Sequence, residues 1–298
     1  MAEIKVEIDT AFIHGALEYM DRPSEGKLAR LMGLKATRGV HAHAMRFGNT
    51  DESREGFWKA ILTQEVRRGA EHFERMRRNI DFVASRGAEF EQAFDEVGAY
   101  LPGDLSLKCR LHLILGYDIG IVSEGDAYLN VGHAHFRSDR RELLYFAMHE
   151  VHHAGYTRYH PIYSLAGLRT PSDLRGAVLY STHLEGTAVY SSYERRAKEG
   201  GLGHVDYRIL NDPRERKRVT REFFRIMGEM GDTTIRPLEE SEFDVLERMS
   251  GGDRLWYVTG AHMAQEIDES LGRKALNRTI VDGPNYFFDA YKACKAKK

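Results

Sequence analysis

Only two cysteines occur in the chain, Cys109 and Cys294, and two thiols make neither a disulfide framework nor a cysteine-type zinc site. Long apolar runs are missing as well: none reaches the roughly 18 residues that a membrane-spanning helix needs. The N-terminus, MAEIKVEIDT, has neither the cationic start nor the apolar core of a signal peptide, so a cytoplasmic protein is expected. Charge of one sign is not in excess. The chain has 43 Lys and Arg against 45 Asp and Glu, which gives no electrostatic footprint for nucleic acid or an anionic membrane. A Gly-x-Ser-x-Gly elbow, a Walker loop and a dinucleotide-binding glycine fingerprint are absent. So are internal repeats, low-complexity tracts and long linkers. The 298 residues therefore read as one compact unit, with an N-terminal helical region over 1–100 and a core over 104–298.

What is present is an ordinary globular composition, 42% hydrophobic and 30% charged, with enough length for a sizeable core. Helical periodicity covers Thr10–Met20, Ser24–Leu34, Ala36–Phe47, Asp51–Arg67, Gly69–Ser85 and Ala88–Tyr100. The arginines among them are interleaved with glutamates and read as solvated helix faces. After Leu101-Pro102-Gly103-Asp104 the period changes to two. Leu105, Leu107, Cys109, Leu111, Leu113 and Leu115 alternate with Ser106, Lys108, Arg110 and His112, which predicts a strand. Ile121-Val122 and Ala127–Val131 predict two more. Helices resume at Leu174–Tyr193, with Ser172 or Asp173 as the cap, then at 213–230, Glu239–Met249, Arg254–Leu271, Arg273–Ile280 and Pro284–Tyr291. The tail Lys292–Lys298 is expected to fray. The expected fold is α+β and mainly helical. A small sheet from about 105–136 packs beside a buried helix, with N- and C-terminal helices around both.

That buried helix carries the chemistry. His149-Glu150-Val151-His152-His153 reads H-E-x-x-H. On a helix, positions i and i+4 lie one above the other, so His149 and His153 can both reach one Zn²⁺. Glu150 is rotated by roughly 100° from His149, away from the metal but within reach of a water beside it, where a general base is wanted. Chance can produce such a pentapeptide in a chain with 14 histidines, so context matters. From Leu143 to Thr157 the only formally charged residue is Glu150. A helix apolar nearly all round belongs inside a fold, and a buried carboxylate is costly unless a metal, a proton or a partner compensates it. Asp139 and Glu142 have capping-box spacing before it.

Two histidines leave a zinc site short of a third protein ligand. Glu185 is the lone formally charged residue between Arg175 and Glu194, on a different predicted helix. Gly176, Gly186 and Ala188 on that helix are small, so a neighbouring helix can approach closely. Two His, one Glu and an open fourth position form a catalytic zinc arrangement, with one zinc per chain. Zinc there lowers the pKa of a bound water towards about 7 and polarises a carbonyl. Glu150 would take the water's proton and deliver it to the leaving amine of a peptide or small amide substrate.

With these residues the chain resembles the gluzincin type of zinc metallopeptidase, the group that includes thermolysin. The run from Leu105 to Leu184-Glu185-Gly186-Thr187-Ala188 is similar to bacterial and archaeal proteins described as predicted zinc-dependent proteases. The resemblance covers about the last two-thirds of the chain and makes 104–298 a zincin-like catalytic core. It implies that His149, His153 and Glu185 bind zinc, that Glu150 is the general base, and that Ala127–Val131 is the substrate-aligning edge strand. The His–Glu spacing is longer than in thermolysin, so the intervening loops are not carried over. Such peptidases often stabilise the tetrahedral oxyanion with a Tyr or His from a helix C-terminal to the ligands. Within Trp256-Tyr257-Val258-Thr259-Gly260-Ala261-His262, the candidates are Tyr257 and His262.

Other readings use the same residues. A non-catalytic zinc-binding module of the same fold would have no essential role for Glu150. A di-iron carboxylate bundle would use Glu150-x-x-His153 as one of two such elements, and a second Glu-x-x-His is absent. His152, i+3 from His149, reads as packing or as a partner to the ligands, with direct ligation as the alternative. His41-Ala42-His43 on a helix points its rings nearly opposite ways. His133-Ala134-His135, if extended, puts both rings on one side, bordering the cleft. That spacing also occurs in metal-dependent amidohydrolase barrels, whose eight βα units are absent.

Overall fold

Ile4, Val6 and Ile8 alternate with charged residues in the first ten positions, and this stretch forms a strand, β1 (Glu3–Asp9). The sheet is therefore not confined to 105–136, and the region 1–100 opens on a strand. The same period-two logic that predicts β2 (Ser106–Ile114) applies here. β3 (Gly120–Ser123) and β4 (Asp126–Asn130) complete a four-stranded sheet in the order β1-β2-β4-β3. β1 and β4 both run parallel to β2, and β3 is antiparallel to β4. Glu124 and Gly125, both at positive φ (50° and 79°), make the two-residue turn between β3 and β4, as tight hairpins require. Every residue of β4 is buried, and the strand lies between β2 and β3. Ala127–Val131 is thus an inner strand, and the edges of this sheet are β1 and β3.

The structure, a computed structural model, describes residues 1–230 and 236–296. The chain falls into two compact units. One holds Glu3–Glu96 and Ser106–Ala154, so residues of the 1–100 and 104–298 regions share a unit. It contains the sheet and α1 (Ala11–Asp21), α2 (Glu25–Met32), α3 (Lys35–Arg46), α4 (Arg54–Val66), α5 (Ala70–Ala84), most of α6 (Gly87–Val97) and most of α7 (Glu142–Tyr156). α3 approaches the sheet at Gly39, where a Cβ would lie 2.6 Å from Cζ of Tyr128. A polar cluster centred on the buried His112 ties three strands together. His112 on β2 reaches Asp9 of β1 with Nδ1 (3.0 Å) and Asp126 of β4 with Nε2 (3.1 Å). Lys35 adds a 2.5 Å ion pair to Asp126.

The other unit holds Met1–Ala2, Val97–Leu105 and Gly155–Lys298. Its helices are α8 (Pro171–Ser191), α9 (Tyr193–Glu199), α10 (Val205–Asn211), α11 (Pro213–Glu229), α12 (Asp244–Ser250), α13 (Leu255–Leu271), α14 (Arg273–Asp282) and α15 (Pro284–Ala296). Thr170, not Ser172 or Asp173, caps α8. Its hydroxyl accepts from the Asp173 N–H, Asp173 reaches back to the Thr170 N–H, and Pro171 sits where no N–H is needed. The C-terminal stretch expected to fray is helical through Ala296, and Lys297 and Lys298 lie outside the described residues. α8 and α13 meet at glycines: a Cβ on Gly260 would lie 2.8 Å from the Gly186 Cα. The small residues of both segments permit this approach, as expected from sequence. No helix among the described residues is long and apolar enough to cross a membrane.

Candidate metal centre

α7 starts from an aspartate. Asp139 Oδ1 accepts from the Arg141 N–H at 2.9 Å, and its carboxylate also pairs with the Arg141 guanidinium at 3.0 Å. The Glu142 carboxylate lies 3.3 Å from His135 Nε2. One and two turns on, Phe146 and His149 follow on the same face. The His135 ring packs on Phe146 at 4.9 Å between centroids, and Phe146 lies 6.4 Å from the His149 ring. His133 and His135 are not on an extended segment. His133 caps a short 3-10 turn, Ala134–Arg137, with its Nδ1 accepting from the His135 N–H.

The next turn of α7 is the centre. The His149 and His153 rings stand edge to face at 4.3 Å between centroids. Ligand atoms of His149, Glu150 and His153 all lie within 4.8 Å of one another. Glu150 and His153 are buried, and His149 is half-buried. Two neighbouring imidazole nitrogens are donors suited to Zn²⁺, and water barely reaches the carboxylate beside them. A cation there offsets the cost of burying the Glu150 charge. Residues and metal therefore fit. Gly120, the first residue of β3, gives the Glu150 carboxylate its space. Sequence alone marks this glycine only as part of a turn, and its missing side chain is the available signal. His152 is completely buried.

Glu185 lies half-buried on α8, in the other compact unit. Two phenols stand near it. Burial pushes the Tyr163 phenol up, and the charge of Glu185 adds to this, while the Ser181 hydroxyl donates to Tyr163 Oη at 3.4 Å. Burial also pushes the Tyr257 phenol up, and Glu185 again adds to it. Both tyrosines thus stay protonated, as hydrogen-bond donors must. Tyr257 is half-buried in the first turn of α13. The guanidinium of Arg254 lies over its ring, 3.5 Å from the centroid. His262 is buried five residues later, about 140° further round the helix, with its ring 6.1 Å from that of Tyr291 on α15. The two oxyanion candidates therefore occupy different faces of α13. Of the remaining histidines, His41 Nε2 lies 2.9 Å from the Glu52 carbonyl oxygen and His43 Nδ1 lies 3.1 Å from the Tyr117 hydroxyl.

Sequence reading passes over Arg254 and Asp206. Neither carries a motif, and each gains meaning only from the other. A search of curated proteins and a search of solved structures each return no match. A family model described as "Putative zinc dependent peptidase (DUF5700)" matches residues 35–298, a span containing both H-E-x-x-H and Glu185. With most of its length inside that match, the chain belongs to the DUF5700 family of putative zinc-dependent peptidases.

Proposed function

We propose that the protein is a zinc peptidase of the gluzincin type, with His149, His153 and Glu185 holding one zinc. The observation that carries this is the cluster on α7, two imidazoles side by side with a buried carboxylate between them in sequence. A zinc ion held there supplies an acidified water and a polarised carbonyl. The chain's own residues do the rest. Glu150, 4% exposed, takes the proton of the attacking water and passes it to the leaving amine. Tyr257 donates its phenolic proton as a hydrogen bond to the oxygen that becomes negative. β3, an edge strand whose first residue faces Glu150, takes the part that resemblance gave to Ala127–Val131: an extended peptide pairs its main chain with that edge.

The test is metal analysis of purified protein followed by incubation with a fluorescence-quenched peptide library. The expected result is about one zinc per chain and cleavage that a chelator abolishes and zinc restores. Zinc without cleavage of any peptide favours the non-catalytic module. Two irons per chain favour the di-iron bundle and end the peptidase reading.

A further inference from the structure

Arg254 breaks two local rules at once. It has φ 55° and ψ 51°, the left-handed region that a long L side chain rarely adopts. It also sets a cation at the N-terminus of a 17-residue helix, the end where the aligned peptide dipoles favour an anion. Residues held in such conformations persist only where their surroundings enforce them, and they cluster at functional sites.

The surroundings of Arg254 do enforce it. Its Nε donates to Asp206 Oδ1 at 2.6 Å and its Nη2 to Asp206 Oδ2 at 3.1 Å. This is the two-pronged geometry that fixes the plane of a guanidinium. Asp206 is 2% exposed and belongs to α10, so the anchor comes from outside α13. The Arg254 N–H donates to the Gly251 carbonyl at 2.8 Å, and its own carbonyl accepts from the Val258 N–H at 3.0 Å. Both backbone polar groups of Arg254 are thus committed. The fixed guanidinium plane then lies over the Tyr257 ring at 3.5 Å, a stacked cation–π contact. A phenol has only two side-chain torsions, and a flat, immobile lid on the ring restrains both.

We infer that Arg254, clamped by Asp206, is a positioning residue that holds the Tyr257 ring in place for the reaction. This rests on the reading of Tyr257 as the oxyanion donor. A donor set an ångström off its target can lose about 10²-fold in rate, so an anchored ring is worth the strained backbone. A lysine does not replace this arginine, because an ammonium has neither the fork nor the flat face.

The test is a double-mutant cycle on a defined quenched peptide that the wild type cleaves. Rates are expressed per zinc-loaded, folded enzyme. Arg254→Gln and Arg254→Lys are each expected to lower kcat about tenfold, with KM changed less than about twofold. Asp206→Asn should do the same. In a Tyr257→Phe background, Arg254→Gln should change kcat less than about twofold, because the group it positions is gone. Equal losses in both backgrounds would overturn the inference and leave a stability role. Wild-type turnover by Tyr257→Phe itself sinks the donor reading, and the inference with it. A second measurement needs no turnover. In full-length protein containing 3-fluorotyrosine, the Tyr257 resonance, assigned by its loss in Tyr257→Phe, should show two slowly exchanging ring orientations. In Arg254→Gln these should merge into one averaged line. An unchanged resonance means that Arg254 does not hold the ring.

Discussion

The Glu150 carboxylate rests on the Cα of Gly120: a Cβ at that position would lie 2.7 Å from Cδ and 2.8 Å from Cγ of Glu150. Non-bonded carbons essentially never come so close, so a methyl group must push the side chain away. Gly120→Ala is expected to lower kcat on peptide substrates at least tenfold, since a general base works only within hydrogen-bond reach of its proton. Zinc content should stay near that of the wild type. Unchanged turnover would mean that the base does its work from another rotamer.

Glu150→Gln keeps the shape of the side chain and removes its ability to take a proton. General-base catalysis is worth about 10²–10⁴-fold, and the loss should fall on kcat while zinc content holds. Stopped assays with the same peptide measure it. Rates equal to wild type would exclude Glu150 as the base even with the metal in place.

His149→Ala, His153→Ala and Glu185→Ala should each lose most of the bound zinc, because two remaining protein ligands rarely hold a catalytic zinc. Elemental analysis after dialysis reads this directly. Full zinc occupancy in Glu185→Ala would remove Glu185 from the ligand set.

The α8–α13 crossing gives a stability prediction with an internal control. A Cβ on Gly260 would lie 2.8 Å from the Gly186 Cα and 3.1 Å from the Thr182 carbonyl carbon. Both are backbone atoms, which cannot swing aside. Gly260→Ala is expected to destabilise by about 3 kcal/mol or more in urea unfolding, the upper range for overpacking. Gly176, on the same α8, has nothing within 4 Å of its virtual Cβ. Gly176→Ala should stabilise by about 0.5–1 kcal/mol.

Asp126 gives a pH prediction. Burial pushes its carboxyl up, but His112, Lys35 and the Arg110 N–H outweigh this and hold it well below the usual carboxylate range. A carboxylate depressed in the folded state stabilises fully above its unfolded value of about 3.9. That contribution is lost as pH falls towards the folded value. Asp126→Asn should therefore cost more stability at pH 7 than at pH 3, as denaturant midpoints at the two pH values will show. An equal cost at both would assign the effect to packing.

Much of this is legible in the chain. His149 and His153 come together because a helix places i and i+4 on one face, whatever the rest of the fold does. The glycines of α8 and α13 announce a close crossing because nothing else tolerates one. β1 escapes a first reading, although Ile4, Val6 and Ile8 carry the same alternation as β2, because the opening residues of a chain invite comparison with a leader and not with a strand. β4 becomes an inner strand for a reason that no local pattern contains: β1 takes the far side of β2, and the tight turn at Glu124-Gly125 folds β3 back onto the other edge. Gly120 and Arg254 are opaque in the same way. One matters for what it does not touch, and the other for a partner some fifty residues upstream.

β1 has a further consequence, for synthesis. Its parallel partners begin with Glu3 opposite Ser106 and end with Asp9 opposite His112. β1 is therefore made about a hundred residues of mostly helical chain before its mate. An alternating apolar strand left alone that long can pair with another nascent chain. Glu3, Lys5, Glu7 and Asp9 occupy every second position along it. Charges so placed discourage strand-to-strand association between molecules while leaving Ile4, Val6 and Ile8 ready for their own sheet.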